Sequence, residues 1–599
     1  MYVKYNPVST RFKSVVGGVC VNEKLTFSAL SDGENLSLAI RKDGGEYIEL
    51  PAKKAGNCFS VDFFPEETGL YYYRFKSQDT FFGIPSGGRA ELLFGNLSKG
   101  GGEFMLTVFS KGYFTPERIK GGVIYQIFPD RFFRLGETLP RENQRLKEWG
   151  GSPDYAPVCG KVRNDDFFGG TLEGITSSLD YLRSLGVTLI YLNPIFEARS
   201  NRRYDTGDYM KIDGLLGTEE DLIKLFKEAE SAGIGVVLDG VFNHTGDDSL
   251  YFNKYKNYPS VGAYNSKRSK YFDWYNFRSF PDDYESWWGV DTLPQTNESS
   301  PAYQDFICGK NGVLRHYLRL GASGWRLDVV DELPADFVRK IRAAVKAEGK
   351  ENFIVGEVWE HVTDKISYGV RREYFCGGEL DSAMNYPLKN SIINYLLTGD
   401  TAELAETILK QIDCYPRQSL HAMMNILGTH DTPRIINVLS GVTQPAAKDE
   451  QAARTLSEEE KALGIERLKI AAAIEFVSYG VPTVYYGDEQ GMTGWGDPFC
   501  RGCFRAENEE LSEYYKKLGM IRREHSAFVS GDAEIVYLSR RAIALKRTGA
   551  EADVYLAVNL GGNTPIFKFT APATDLLTGE SATEFAVPCG TVRIIEDKK

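Results

Sequence analysis

The stretch Gly324-Trp325-Arg326-Leu327-Asp328-Val329-Val330-Asp331-Glu332 decides how the rest of the chain reads. It begins as a strand. Residues two apart share a face, so Gly324, Arg326 and Asp328 point one way and Trp325, Leu327 and Val329 the other. An arginine and an aspartate in an otherwise apolar strand are costly to bury unless they pair. The arginine would hold the carboxylate ionised and fix its rotamer. That is what a nucleophile or a charge stabiliser needs. A buried structural ion pair is the competing reading, and the rest of the chain has to decide.

The chain has 599 residues, enough for three or four domains at about 150 residues each. A net charge of -12 disfavours a nucleic-acid partner held through phosphates. Aromatics make up 13% of residues, which suits sugar stacking and large cores alike. Nine cysteines, an odd number and scattered, suggest reduced thiols in a cytoplasmic protein. Cys500 and Cys503 form one CxxC without a second pair or a histidine at zinc spacing. The N-terminus lacks an apolar h-region, and no run of about 18 apolar residues would span a membrane.

Residues 1–118 alternate short β-runs with glycine-rich turns, as in Lys24–Ala29, Ser60–Phe64, Gly69–Phe75 and Glu103–Val108. This predicts an N-terminal β-sandwich. Residues 119–525 alternate strand and helix. Strands are expected at Val123–Phe128, Val187–Leu192, Ile234–Val241, Gly324–Val330, Phe353–Val358, Leu380–Met384, Ala422–Leu427 and Val481–Tyr486. Helices are expected at Leu172–Leu185, Thr218–Ala232, Asp305–Leu320, Pro334–Glu348 and Ser457–Val477. Eight strands in βα order predict an α/β fold, a (β/α)8 TIM barrel. Residues 243–300, rich in Tyr, Trp, Asp and Asn, read as a lobe inserted after the third strand, long enough to be functional. Residues 526–599 return to short strands and predict a C-terminal β-sandwich domain.

Acidic groups recur at the strand ends. Asp239 ends Ile234-Gly-Val-Val-Leu and precedes Asn243-His244; Glu357 ends Phe353-Ile-Val-Gly; His430-Asp431 follows the strand near Ala422–Leu427. In a TIM barrel the C-terminal strand ends face one shared site. Unpaired carboxylates gathered there destabilise the barrel unless they act on something. Two carboxylates with a histidine and an arginine, and no nucleotide loop, suit glycoside hydrolysis: one carboxyl attacks or stabilises the anomeric carbon, another protonates the leaving oxygen.

Four segments, Asp239-Gly-Val-Phe-Asn-His244, Gly324-Trp-Arg-Leu-Asp328, Gly356-Glu357-Val-Trp359 and Gly428-Thr-His-Asp431, resemble in order the signature regions of the α-amylase superfamily of glycoside hydrolases. Leu293-Pro294-Gln-Thr-Asn297 and the N-terminal β-region resemble the neopullulanase, cyclomaltodextrinase and maltogenic amylase group and its amylopullulanase relatives. The resemblance implies that Asp328 is the nucleophile, Glu357 the general acid/base and Asp431 a third catalytic carboxylate that binds hydroxyls of the distorted sugar. Arg326 would keep Asp328 ionised, His244 and His430 would donate to the same glucose, Tyr204 would stack under it and Asp239 would support the site from below. Glu332 would lie on the leaving-group side, and Asp497 and Arg501 toward the non-reducing end. Trp359 and Trp287-Trp288 read equally as sugar platforms or packing.

No cofactor is expected. Calcium, which relatives hold in the loop after the first barrel strand, lacks its usual oxygen ligands in Phe132-Phe-Arg-Leu-Gly-Glu-Thr-Leu-Pro-Arg141. The resemblance implies a retaining, endo-acting hydrolase of α-1,4-glucosidic bonds in maltooligosaccharides, cyclodextrins, pullulan or starch. The alternatives are an α-1,6-cleaving, dual-specificity or glycosyl-transferring relative, and, more remotely, a non-catalytic glucan-binding protein. The expected partner is an α-glucan, with a homodimer through residues 1–118 as a further reading.

Overall fold

Eight parallel strands supply the frame: β1 (Val123–Ile127), β2 (Val187–Leu192), β3 (Gly235–Gly240), β4 (Gly324–Leu327), β5 (Phe353–Gly356), β6 (Ser382–Ala383), β7 (Met424–Ile426) and β8 (Val481–Tyr485). Hydrogen-bonded neighbours run β6-β5-β4-β3-β2-β1-β8-β7. A parallel bridge between Met384 and Met424 joins the two ends and closes the barrel. Every residue of β1, β3, β4, β5 and β8 is buried, as expected of strands enclosed by helices outside and side chains inside. This computed structural model describes residues 1–136, 138, 140, 144–157 and 163–599.

The β4 stretch alternates as its sequence demands. Trp325 points outward against Phe242 and Tyr317, with ring centroids 5.8 and 6.1 Å away. Arg326 points toward the barrel mouth. Gly324 sits at φ +151°, and a Cβ there would lie 2.1 Å from the Phe353 carbonyl oxygen, so β4 approaches β5 more closely than any side chain allows. The strand is shorter than the expected Gly324–Val330. Val329 adopts a left-handed φ of 38°, and Val330–Glu332 forms a 3-10 turn. Two expected helices are divided. Leu172–Leu185 breaks at Ser178, and Asp305–Leu320 becomes Pro301–Cys308 and Val313–Leu320, separated by Gly309 and Gly312. Thr218 caps Glu219–Ser231 through a capping box with Asp221, the reciprocal bonding that satisfies two otherwise free N–H groups.

The lobe at 243–300 contains little regular structure and is held by aromatic packing. Phe252 meets Tyr284 at 4.7 Å and Tyr275 at 4.9 Å between centroids, and Trp274 meets Phe306 at 4.9 Å. Much of the aromatic surplus is therefore core.

Before the barrel, a four-stranded and a seven-stranded sheet enclose Tyr5, Phe27, Tyr73, Phe75 and Phe104. Buried charge joins this region to the barrel helix Ala402–Cys414: Lys13 Nζ lies 3.2 Å and Arg89 Nε 2.9 Å from the Asp413 carboxylate. After the barrel, six antiparallel strands form one sheet. Its strands Ile566–Asp575 and Ser581–Ala586 escaped sequence reading because half of the first is exposed and few of its residues are buried. A register shift between Lys568 and Ala573 bends this long strand, and Phe567 packs over Ala544 and Ala557, so one sheet makes two layers. The loop to which the calcium expectation applies lies partly outside the described residues. Among the described residues, no three His, Cys, Asp or Glu side chains converge to hold a metal ion.

Candidate active site

The barrel mouth is organised around one guanidinium. Arg326, fully buried on β4, donates from Nη1 to Asp328 Oδ1 at 2.7 Å and to Asp239 Oδ1 at 2.9 Å. Its Nη2 lies 2.8 Å from Glu357 Oε2. The ends of β3, β4 and β5 are adjacent in the barrel, so three carboxylates from distant sequence positions reach one cation. Asp239 is saturated: Tyr191 and Tyr204 donate their hydroxyls to its Oδ2 at 2.6 and 2.9 Å. It holds Arg326 rather than facing the cleft. Asp328 and Glu357 retain small openings to it, with side chains 9% and 7% exposed.

Burial pushes the Asp328 carboxyl well up, with the Glu357 and Asp239 charges acting the same way and Arg326 opposing them. Asp239 is raised by burial against the same arginine. Burial therefore works against the single cation at both of these carboxyls. Glu357 is oriented by two donors: the Val329 backbone N–H reaches its Oε2 at 3.0 Å, and the Trp359 indole N–H its Oε1 at 3.1 Å. Trp359 stacks on Tyr386 at 3.9 Å and keeps its other face half exposed, so it both packs and borders the cleft.

The opposite rim is built from β1, β2, β7 and β8. The Gln126 amide donates to Asn193 Oδ1 at 3.0 Å and to His430 Nδ1 at 2.9 Å. That bond assigns the His430 proton to Nε2. Nε2 lies 2.6 Å from the Tyr204 hydroxyl and 3.2 Å from Asp431 Oδ2. Burial, followed by Arg501 and Arg326, pushes His430 well down, so it is a neutral donor. Tyr204 stacks parallel to the His430 imidazole at 5.4 Å, and its hydroxyl binds Asp239. Asp431 is the most open of the site carboxylates, 37% exposed. His244, pushed down to about 4 by burial, stacks on Trp287 at 5.0 Å.

The remaining expected residues fall at the two ends of the cleft. Arg501 is almost fully buried and donates to the His430 carbonyl at 2.8 Å and to Asp431 Oδ1 at 3.2 Å. It positions Asp431 as much as it faces the cleft. Asp497 pairs with Arg501 at 2.9 Å and with Arg202, a residue the sequence reading passed over. Glu332 accepts from the Trp287 and Trp288 indoles at 3.0 and 2.7 Å. Gln126, Asn193 and Tyr191 were also missed, although a lone glutamine inside the apolar strand Val123–Ile127 was a readable signal. Cys500 and Cys503 are buried, and burial pushes both thiols up to about 11.

Residues 126–527 match the family described as alpha amylase, catalytic domain. An amylopullulanase of Thermoanaerobacterium saccharolyticum is 36% identical over 494 residues, 74% of this chain and 37% of that protein. The chain spans about a third of the length of the amylopullulanases it matches. A cyclomaltodextrinase of Geobacillus thermopakistaniensis is 32% identical over 485 residues, 78% of this chain and 74% of that one. Among solved structures, a cyclic alpha-maltosyl-(1→6)-maltose hydrolase of Arthrobacter globiformis superposes with a TM-score of 0.67 at 28% identity, covering 81% of this chain and 100% of its own. The family match covers the strand ends that carry Arg326 and its three carboxylates, and the chain belongs to the alpha-amylase family.

Proposed function

We propose that the protein is a retaining, endo-acting hydrolase of α-1,4-glucosidic bonds in maltooligosaccharides, cyclodextrins, pullulan or starch. The observation that carries this reading is Arg326 gripping Asp328, Asp239 and Glu357 at three adjacent strand ends. Asp328 makes the shortest of the three contacts with Arg326 and serves as the nucleophile, and Glu357 serves as the acid. Asp328 attacks the anomeric carbon as the glycosidic C–O bond breaks, and Glu357 gives its proton to the leaving oxygen. Water then attacks the glycosyl ester, Glu357 takes a proton from it, and Asp328 leaves as carboxylate. Asp431 and the neutral donor His430 bind hydroxyls of the same glucose, strengthening as positive charge develops on the ring. Two carboxylates and water complete this chemistry, so we assign no cofactor to it.

Cleavage of α-1,6 bonds, alone or together with α-1,4, is the second reading. It is favoured by the similarity to an amylopullulanase and to a hydrolase of a cyclic (1→6)-linked maltosyl maltose. Product analysis on pullulan, maltotriose and a cyclodextrin separates the two. Panose or isopanose from pullulan supports α-1,4 cleavage, and maltotriose supports α-1,6. No release from any of the three overturns both. We place the enzyme in the cytoplasm, consistent with eight free cysteines among the described residues. A dimer through residues 1–118 remains part of the proposal, and sedimentation with and without that segment tests it.

A further inference from the structure

The segment after β5 doubles back onto the turn that ends β4, and its side chains close on Asp331 and Leu333. Arg372, buried at 5% exposure, donates from Nη1 to the Leu333 carbonyl at 2.9 Å and from Nη2 to the Asp331 carbonyl. Ser367 Oγ donates to the same Asp331 carbonyl at 2.6 Å. The Asp331 carboxylate pairs with Lys365 at 2.8 Å and accepts the Tyr374 hydroxyl at 2.7 Å. The segment is itself fixed at its base. The Arg372 backbone N–H closes on the Lys365 carbonyl at 2.9 Å across the hairpin Ile366–Arg371. Arg371 donates to the Asp364 carbonyl at 2.8 Å and reaches the Asp43 carboxylate before the barrel at 3.1 Å.

What this clamp holds is a short stretch of strained backbone. Val329, left-handed at φ 38°, opens the 3-10 turn Val330–Glu332, and its N–H reaches Glu357 Oε2 at 3.0 Å. A β-branched residue rarely takes that conformation, and it persists only where the surrounding bonds over-determine it. The turn also bears on β5. A Cβ on Gly356 would lie 2.8 Å from Val330 Cγ1, so the residue before Glu357 has no side chain to hold turn and strand apart. Asp328 is fixed independently of the clamp: its N–H donates to the Gly240 carbonyl at 3.1 Å, and its carboxylate is held by Arg326. Loosening the turn therefore disturbs the donor on Glu357 before it disturbs the nucleophile.

We propose that Arg372 is a positioning residue for the proton donor. By gripping the Asp331 and Leu333 carbonyls it fixes the turn whose Val329 N–H aims the Glu357 carboxyl. Glu357 then gives its proton to the leaving oxygen as the C–O bond breaks toward Asp328. This rests on the glycosidase reading above. The test compares Arg372→Met, Arg372→Lys and Ser367→Ala with the wild type on two substrates that share a donor. Phenyl α-maltoside expels its phenol only with a proton supplied; 2,4-dinitrophenyl α-maltoside expels a phenolate unaided. Both leaving groups are one aromatic ring, so a lost contact with the leaving group would show on both. A general acid contributes about 10²–10⁴-fold, and misaiming it in Arg372→Met should lower kcat/KM on phenyl α-maltoside roughly tenfold or more. Ser367→Ala should lower it roughly threefold, the fold-change of one ordinary hydrogen bond. Arg372→Lys, which reaches one carbonyl, should recover part of the loss. The dinitrophenyl substrate should be turned over at the wild-type rate by all three. Equal loss on both substrates would overturn the inference alone, and so would an unchanged rate on phenyl α-maltoside with a lowered urea midpoint. Where Arg372→Met does not fold, Ser367→Ala decides by the same comparison. A wild type inert toward both maltosides and toward maltooligosaccharides would overturn the hydrolytic reading and this inference with it.

Discussion

The backbone N–H of Val329 donates to Glu357 Oε2 at 3.0 Å, and it does so from a left-handed conformation at φ 38° that a β-branched residue rarely adopts. The turn that ends β4 directly after Asp328 thus orients the carboxyl on β5. Glu357→Gln keeps the shape and an accepting oxygen for this bond but cannot act as an acid or a base. Turnover of maltooligosaccharide should fall roughly a hundred- to ten-thousand-fold, with substrate affinity by calorimetry largely retained. Near-normal turnover would remove Glu357 from the acid role.

Arg326→Lys replaces a planar fork by a point charge that cannot reach three carboxylates at once. We expect kcat to fall by at least roughly a hundredfold and the urea midpoint to drop, because leaving a buried charge uncompensated costs about 3–5 kcal/mol. Kinetics and equilibrium unfolding of the purified variant check both. An unchanged midpoint would mean that solvent reaches the trio.

Four of the six histidines are buried and held neutral by burial: His244 near 4, His421 near 2, and His361 and His430 well below 6.5. Above pH 6.5 folded and unfolded chains both carry neutral imidazole at these positions. Below it the unfolded chain takes up protons that the folded one refuses, so stability is lost as pH falls, by about 1.4 kcal/mol per pH unit for each such histidine. His421 has no hydrogen-bond partner on either ring nitrogen and lies among Arg547, Arg417 and Lys120. His421→Leu should leave stability near pH 7.5 little changed and flatten its pH dependence between 6.5 and 4.5 by one proton. Urea midpoints across that range read the slope.

Asp413 is the sole carboxylate paired with Lys13 and is shared with Arg89, among the described residues. Asp413→Ala leaves Lys13 buried without a counter-charge and should cost about 3–5 kcal/mol. Adding Lys13→Met should recover part of that loss, measured by the urea midpoint of the double variant.

Cys500 and Cys503, both buried with thiols raised to about 11, should resist alkylation in the folded enzyme, whereas exposed Cys589 should react. Peptide mapping after iodoacetamide treatment tests this. Rapid native labelling of Cys500 or Cys503 would show that the segment around Asp497–Arg501 opens.

The apolar runs in Val187–Leu192, Ile234–Val241 and Phe353–Val358, with an acid near the end of the latter two, were enough to read a barrel and its mouth. The reason is local: a strand enclosed by helices must be apolar, so a carboxylate at its end stands out. The roles within the site were less legible. The resemblance placed Glu332 on the leaving-group side without naming its partners. The fold turns the neighbouring Asp331 toward Lys365 and Tyr374 and gives Glu332 to two indoles. Likewise Tyr204, expected as a stacking ring, also closes a hydrogen-bond chain from His430 to Asp239, and Arg501 spends its donors on Asp431 and the His430 carbonyl. Those partners come from strands and loops dozens to hundreds of residues apart. By itself the sequence determined which residue types stand at each strand end, since burial and periodicity act along the chain. Tertiary structure alone decided which cation meets which carboxylate and which aromatic stays free, because hydrogen bonds and ion pairs act over about 3 Å between groups that only barrel closure brings together.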